Sequence, residues 1–239
     1  MYTTYMSKPP SKVVYTTIIK KLKSSANPEA VAGMARYGIN PKKNYGISVT
    51  TLRKMAWEIG RDHQLAQKLW KTGIRDARIL AASIDDPQLV SEKQMEQWVT
   101  DIDSWDVCDH CCGHLFDKTQ FAYKKAVEWS IRSEPFVKRA GFSLIAWLSV
   151  HDKKADDKKF LAFLPVISRE SIDNRNYVKK AVNWALRQIG KRNQFLNRRA
   201  IETATQIQTI DSKSAQWIAA DAFRELTSPA IQKRVRNKK

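Results

Sequence analysis

Glycine and proline are scarce, eight of each in 239 residues, so long stretches of the chain contain nothing that breaks a helix. Cysteine is scarcer still. The three thiols, Cys108, Cys111 and Cys112, are an odd and clustered set, which excludes a disulfide framework. No run approaches the roughly 18 uninterrupted apolar residues that span a bilayer, and the N-terminal MYTTYMSKPPSK lacks the apolar centre of a secretion signal. The expectation is a cytoplasmic protein with reduced thiols and no membrane contact. Walker loops, dinucleotide fingerprints and G-x-S-x-G elbows are missing too, so nothing points to a nucleotide cofactor or a serine hydrolase. Acidic side chains are in deficit, 24 against 42 Lys and Arg, a formal balance of +18. Such an excess suits a partner built of phosphates, although charge can also serve solubility alone. What is present is core material: 43% hydrophobic residues and eight tryptophans, enough to exclude global disorder.

Apolar residues recur at spacings of 3, 4 and 7, and the pattern predicts an all-α chain. Short clusters punctuate it: Ser24 to Pro28, Gly38 to Gly46, Asp85 to Pro87, Ser133 to Pro135, Asp152 to Asp157, Ser168 to Asn176, and Ser228-Pro229. Several place proline at a helix start. Residues 1–12 and 233–239 are expected to be frayed. Two stretches echo each other 41 residues apart, Phe136-Val137-Lys138-Arg139-Ala140 and Tyr177-Val178-Lys179-Lys180-Ala181. A period of about 40 to 47 with paired helices predicts a HEAT or armadillo-like solenoid, with an ordinary helical bundle as the alternative. No shift in composition marks a boundary, so residues 1–239 are expected to form one domain.

Helical wheels separate core faces from free ones. Over Tyr177 to Lys191, Val178, Val182, Ala185 and Ile189 form the buried stripe, and Lys180, Trp184, Arg187 and Lys191 lie opposite. A tryptophan among cations suits a nucleic-acid face; a ring covering a neighbouring helix beside solvated charges is the other reading. Over Asp103 to Phe116, Val107, Cys108, Cys111 and Leu115 share one side, and Trp105 and Asp109 lie together on the other. In the helix after Pro135, Val137, Leu144 and Leu148 define the core, and Arg139 points away beside Ser143 and Ala146. From there it could grip a phosphate with two parallel hydrogen bonds, or simply be solvated.

Cys108-Asp109-His110-Cys111-Cys112-Gly113-His114 invites a metal reading. The two C-x-x-C thiols face the core, the histidines project at an angle, and no second ligand pair follows, so no metal is expected. His63 and His151 stand alone in the sequence.

Several pieces, in this order and spacing, resemble the AlkD-like DNA glycosylases, HEAT-like-repeat proteins that repair alkylated DNA. They are Met34-Ala35-Arg36-Tyr37; Tyr45-Gly46-Ile47 with Leu52-Arg53; Ser104-Trp105-Asp106-Val107-Cys108-Asp109; Val137-Lys138-Arg139-Ala140; and Lys180-Ala181-Val182-Asn183-Trp184-Ala185-Leu186-Arg187. The resemblance implies a concave basic face that holds double-stranded DNA containing alkylated purines, and a cofactor-free, monofunctional N-glycosylase acting as a monomer. It implies that Trp105 and Trp184 flank a catalytic Asp109 and that Arg139 holds the backbone near the lesion. Lys138, Lys180, Arg187, Lys191 and Tyr37 are the further DNA contacts. It also implies N-glycosidic hydrolysis without a deep pocket for a flipped base. A non-catalytic module that binds DNA or RNA structure through the same face, and a solenoid meeting an acidic protein, are the competing classes.

Overall fold

Residues 15–237 are described by the computed structural model, and among them every regular element is a helix. The chain divides at Leu115/Phe116 into two compact units. The first holds α1 (Tyr15–Ser24), α2 (Pro28–Arg36), α3 (Val49–Ile59), α4 (His63–Trp70), α5 (Arg75–Ile84), α6 (Glu92–Asp101) and α7 (Trp105–His114). The second begins with a 3-10 turn, Phe116–Lys118. It continues with α8 (Ala122–Ser130), α9 (Pro135–His151), α10 (Asp157–Leu161), α11 (Leu164–Glu170), α12 (Asn176–Gly190), α13 (Gln194–Gln208), α14 (Lys213–Leu226) and α15 (Pro229–Arg236).

Local chemistry sets many of the starts. Asn27, Ser48, Asp62, Ser91, Asn193 and Ser228 each accept a backbone N–H of the helix they open, satisfying a donor that would otherwise have no partner. Proline stands in the first turn of α2, α9, α11 and α15, where its missing N–H costs nothing.

In the first unit α5 is the hub, packed on α3, α4 and α7, with Ala77, Ile79, Leu80, Ala81, Ala82 and Ile84 all buried. The loop into α3 turns at Gly46, whose φ of +74° lies in the left-handed region. A Cβ there would fall 2.3 Å from the Asn27 carbonyl oxygen, so only glycine fits.

In the second unit α9 runs between α8 and α12. The approach to α8 is close enough that a Cβ on Gly141 would lie 2.4 Å from the Ser130 nitrogen. The 41-residue echo becomes physical contact: the rings of Phe136 and Tyr177 stack with centroids 5.5 Å apart. The same stagger recurs in hydrogen bonds between successive layers. Ser214 donates to the Asp173 carbonyl, Arg175 to that of Ser133 and Arg192 to that of Ser149.

One expectation about the ends needs correction. Lys233 to Arg236 belong to α15, which is held because Val235 is buried and Gln232 donates to Asn197 and to the Leu226 carbonyl. Residues 1–12 lie outside the described residues. Among the described residues no helix is long and apolar enough to cross a membrane.

Candidate nucleic-acid interface

The expected helix over Asp103 to Phe116 is shorter, Trp105–His114. Trp105 opens it, half-buried, and Asp109 follows one turn later on the same half-buried side. The indole Nε1 of Trp105 donates to the backbone carbonyl of Tyr37 at 3.0 Å. Tyr37 caps the C-terminus of α2, and its ring is 76% exposed. One residue thus presents an aromatic face to solvent and holds a second ring by its backbone.

Beneath Trp105 lies a network that sequence reasoning missed. Arg75, 6% exposed, donates to Asp106 at 2.6 Å, to Asp76 at 3.0 Å and to the Ile47 carbonyl at 3.1 Å. Asp76 in turn accepts the N–H groups of Tyr45 and Ile47 at 2.7 and 2.9 Å. The network fastens the Tyr45-Gly46-Ile47 loop, α5 and the first turn of α7 together. Nothing local announces it, because Arg75 and Asp106 stand 31 residues apart.

The three thiols of α7 are fully buried. Burial, reinforced by the neighbouring thiols, pushes Cys111 and Cys112 up. The imidazoles of His110 and His114 stack with centroids 3.8 Å apart. His63 and His151, solitary in sequence, each meet a carboxylate whose side chain is wholly enclosed: Asp85 at 2.6 Å and Asp117 at 2.5 Å. Among the described residues no group of three His, Cys, Asp or Glu is arranged to hold a metal.

The second unit corrects the wheel at Arg139. The side chain does not point away from the core: it is 6% exposed, and its Nη1 donates to the Tyr177 carbonyl at 2.6 Å. Ser143 and Ala146, its supposed open neighbours, are fully buried. A wheel allots one covered face to a helix, whereas α9 is covered by α8 on one side and α12 on another. Arg139→Ala is therefore expected to remove a buried side chain and its charge-assisted hydrogen bond to the Tyr177 carbonyl, costing about 1–3 kcal/mol. A thermal melt should show a lowered Tm; an unchanged Tm would return Arg139 to the free surface.

Lys138 is also engaged, 2.7 Å from Glu170 and 3.4 Å from Asp173. Burial raises the Glu170 carboxyl, but the hydrogen bonds from Lys138 and Arg169 outweigh it and hold the group below its usual range. On α12 the core stripe is as read, with Val178, Val182, Ala185 and Ile189 fully buried. The opposite stripe is less free than the wheel implies. Arg187 and Lys191 both bind Glu225 of α14, at 2.5 and 2.7 Å, and Arg187 also faces Asp221 at 3.5 Å. Only Lys180 of the four is exposed. Trp184 is half-buried and meets Trp147 edge-to-face, centroids 5.4 Å apart, while Trp147 stacks on His151.

Residues 18–226 match the profile of a protein family described as DNA alkylation repair enzyme. The chain belongs to that family. A solved structure is similar to this DNA alkylation repair family member with a TM-score of 0.75 and 19% identity, covering 88% of this chain and 94% of its own. That structure is described as representing a new family of proteins related to the HEAT-like repeat DNA glycosylases, with affinity for branched DNA structures. The shared architecture is a HEAT-like repeat fold. No curated protein matches at a significant level. Within the DNA alkylation repair fold of this chain, Trp105 is tied to the Tyr37 carbonyl and stands one turn before Asp109 in the first unit; Lys180 and Trp184 remain solvent-accessible in the second; and Arg139, Lys138, Arg187 and Lys191 are engaged within the second unit.

Proposed function

We propose that the protein binds duplex DNA and hydrolyses the N-glycosidic bond of purines alkylated at N3 or N7. The observation that carries this reading is a carboxylate, Asp109, beside a tryptophan ring whose orientation is held by the Tyr37 carbonyl. Alkylation at these nitrogens makes the base cationic, so the glycosidic bond is already weakened and its cleavage builds positive charge on the sugar. A fixed carboxylate stabilises that charge and orients the water whose oxygen attacks the sugar carbon. The base departs as a neutral alkylpurine, taking the bonding electron pair, and the proton lost by the attacking water passes by way of the carboxylate to solvent. The faces of Trp105 and Tyr37 favour cationic character and exclude loose solvent. Trp184, half-buried in the second unit, remains a proposed DNA contact. Arg139, 6% exposed and giving its Nη1 to the Tyr177 carbonyl, is in this reading a support of the fold rather than a DNA contact.

The affinity for branched DNA described for the structural neighbour supports a second reading, a non-catalytic module that recognises DNA structure. One assay separates the two. Methylated duplex DNA incubated with the protein should yield free methylpurines, with or without chelator; release no faster than spontaneous depurination would leave the binding module. Duplex binding itself should weaken steeply with salt, log affinity falling with a slope of about −0.9 per neutralised phosphate. Anisotropy titrations from low to moderate salt check this, and a flat response would remove the phosphate contacts from both readings.

A further inference from the structure

Trp57 is 72% exposed on α3, across the helix from the buried Leu52, Met55 and Ile59. At about 100° per residue, Arg53 and Lys54 flank it one turn earlier, within about 60° on either side. Both are exposed, and Arg61 follows just past the helix end.

The cations differ in kind from those on α12. Arg187 and Lys191 are paired with acids, sharing the carboxylate of Glu225, and Arg187 also faces Asp221. Arg53 donates to Nε2 of His114 at 2.8 Å. The other ring nitrogen of His114 lies 3.1 Å from the His110 carbonyl, which can only accept, so the proton sits on Nδ1 and Nε2 is the acceptor of a neutral ring. Arg61 donates to the backbone carbonyl of Asp85. Both guanidinium groups are thus steadied by uncharged acceptors, so those bonds leave their positive charge uncompensated. The acid on this face, Glu58, is bound by Lys21 at 2.8 Å, and that hydrogen bond, chiefly, holds its carboxyl below the usual range.

The geometry points to a second nucleic-acid contact on α3: a platform for an unpaired stretch of DNA, with one base stacked on the Trp57 indole and adjacent phosphates on Arg53, Lys54 and Arg61. The cations alone would suit any phosphate backbone. The ring selects the occupant, because a tryptophan face stacks on a base only where that base has left its pair, and stacking of this kind tolerates any base. Guanidinium groups already held in place lose less freedom on binding.

The test uses the full chain, a fluorescein-labelled oligothymidylate and an undamaged blunt-ended duplex, read by anisotropy. Neither probe carries a lesion, so the result is independent of base excision. Trp57→Ala is expected to weaken oligothymidylate binding by about ten-fold or more and leave duplex binding and the thermal melt unchanged, while Trp57→Phe keeps most of the affinity. Arg53→Gln should weaken binding to both probes. Unchanged oligothymidylate affinity in Trp57→Ala, or an equal loss for strand and duplex, would overturn the proposal.

Discussion

Asp109→Asn is expected to bind alkylated duplex DNA at least as tightly as the unaltered protein while releasing alkylpurines about 10² to 10³ times more slowly. The substitution keeps the shape of a half-buried side chain and removes only its charge. If that charge faces the electron-poor sugar of the transition state, losing it costs about 3–4 kcal/mol of barrier and little ground-state affinity. Affinity can even rise, since a negative charge facing phosphates has gone. Single-turnover release and equilibrium binding, measured on the same methylated duplex, separate the two quantities. A variant with unaltered release would show that Asp109 is a polar residue of the first turns of α7 and no more.

Arg75→Ala should produce the largest loss of stability. Arg75 lies between Asp76, fully enclosed, and Asp106, 10% exposed, and its removal leaves both carboxylates buried without their cation. Breaking such a pair from one side costs about 3–5 kcal/mol, because the remaining carboxylates keep only uncharged donors, the N–H groups of Tyr45 and Ile47 on Asp76 and the Ser104 hydroxyl and Val107 N–H on Asp106. At roughly 2–4 °C per kcal/mol for a chain of this size, Tm should fall by about 10 °C. Arg75→Lys keeps the charge but cannot reach Asp106, Asp76 and the Ile47 carbonyl at once, so it should recover only part of the loss. A drop of a degree or two in Arg75→Ala would mean that water reaches the pair freely.

What the chain states locally, it states clearly. Asn27, Ser48 and Ser228 each cap the helix that follows, and Pro135 opens α9, because capping is settled within four residues. The buried stripe of α12 also reads correctly, since one face of that helix is apolar and the rest is not. The echo between Phe136 and Tyr177 gives the stagger of the repeat, and their rings do touch. The site is harder to read. Trp105 and Asp109 lie together because i and i+4 must, but the carbonyl that holds the indole comes from 68 residues earlier. The ion pairing of the α12 stripe depends on Glu225, 34 residues beyond Lys191 and 38 beyond Arg187. Arg139 was misplaced for the same reason: periodicity reports how apolar one side of a helix is, not how many neighbours surround it.

The enclosure of α9 also bears on how such proteins diversify. Eleven of its seventeen residues are buried, several of them small, including Gly141, Ala140, Ser143 and Ala146. Their size sets the spacing of the helices on either side, so nearly any enlargement would force α8 or α12 to move. A new binding preference therefore cannot be written into α9 by single changes. It has to accumulate at positions with room to vary, such as Tyr37 and the loop that follows it, or Lys180, while α9 stays as the spacer against which such variation is tolerated.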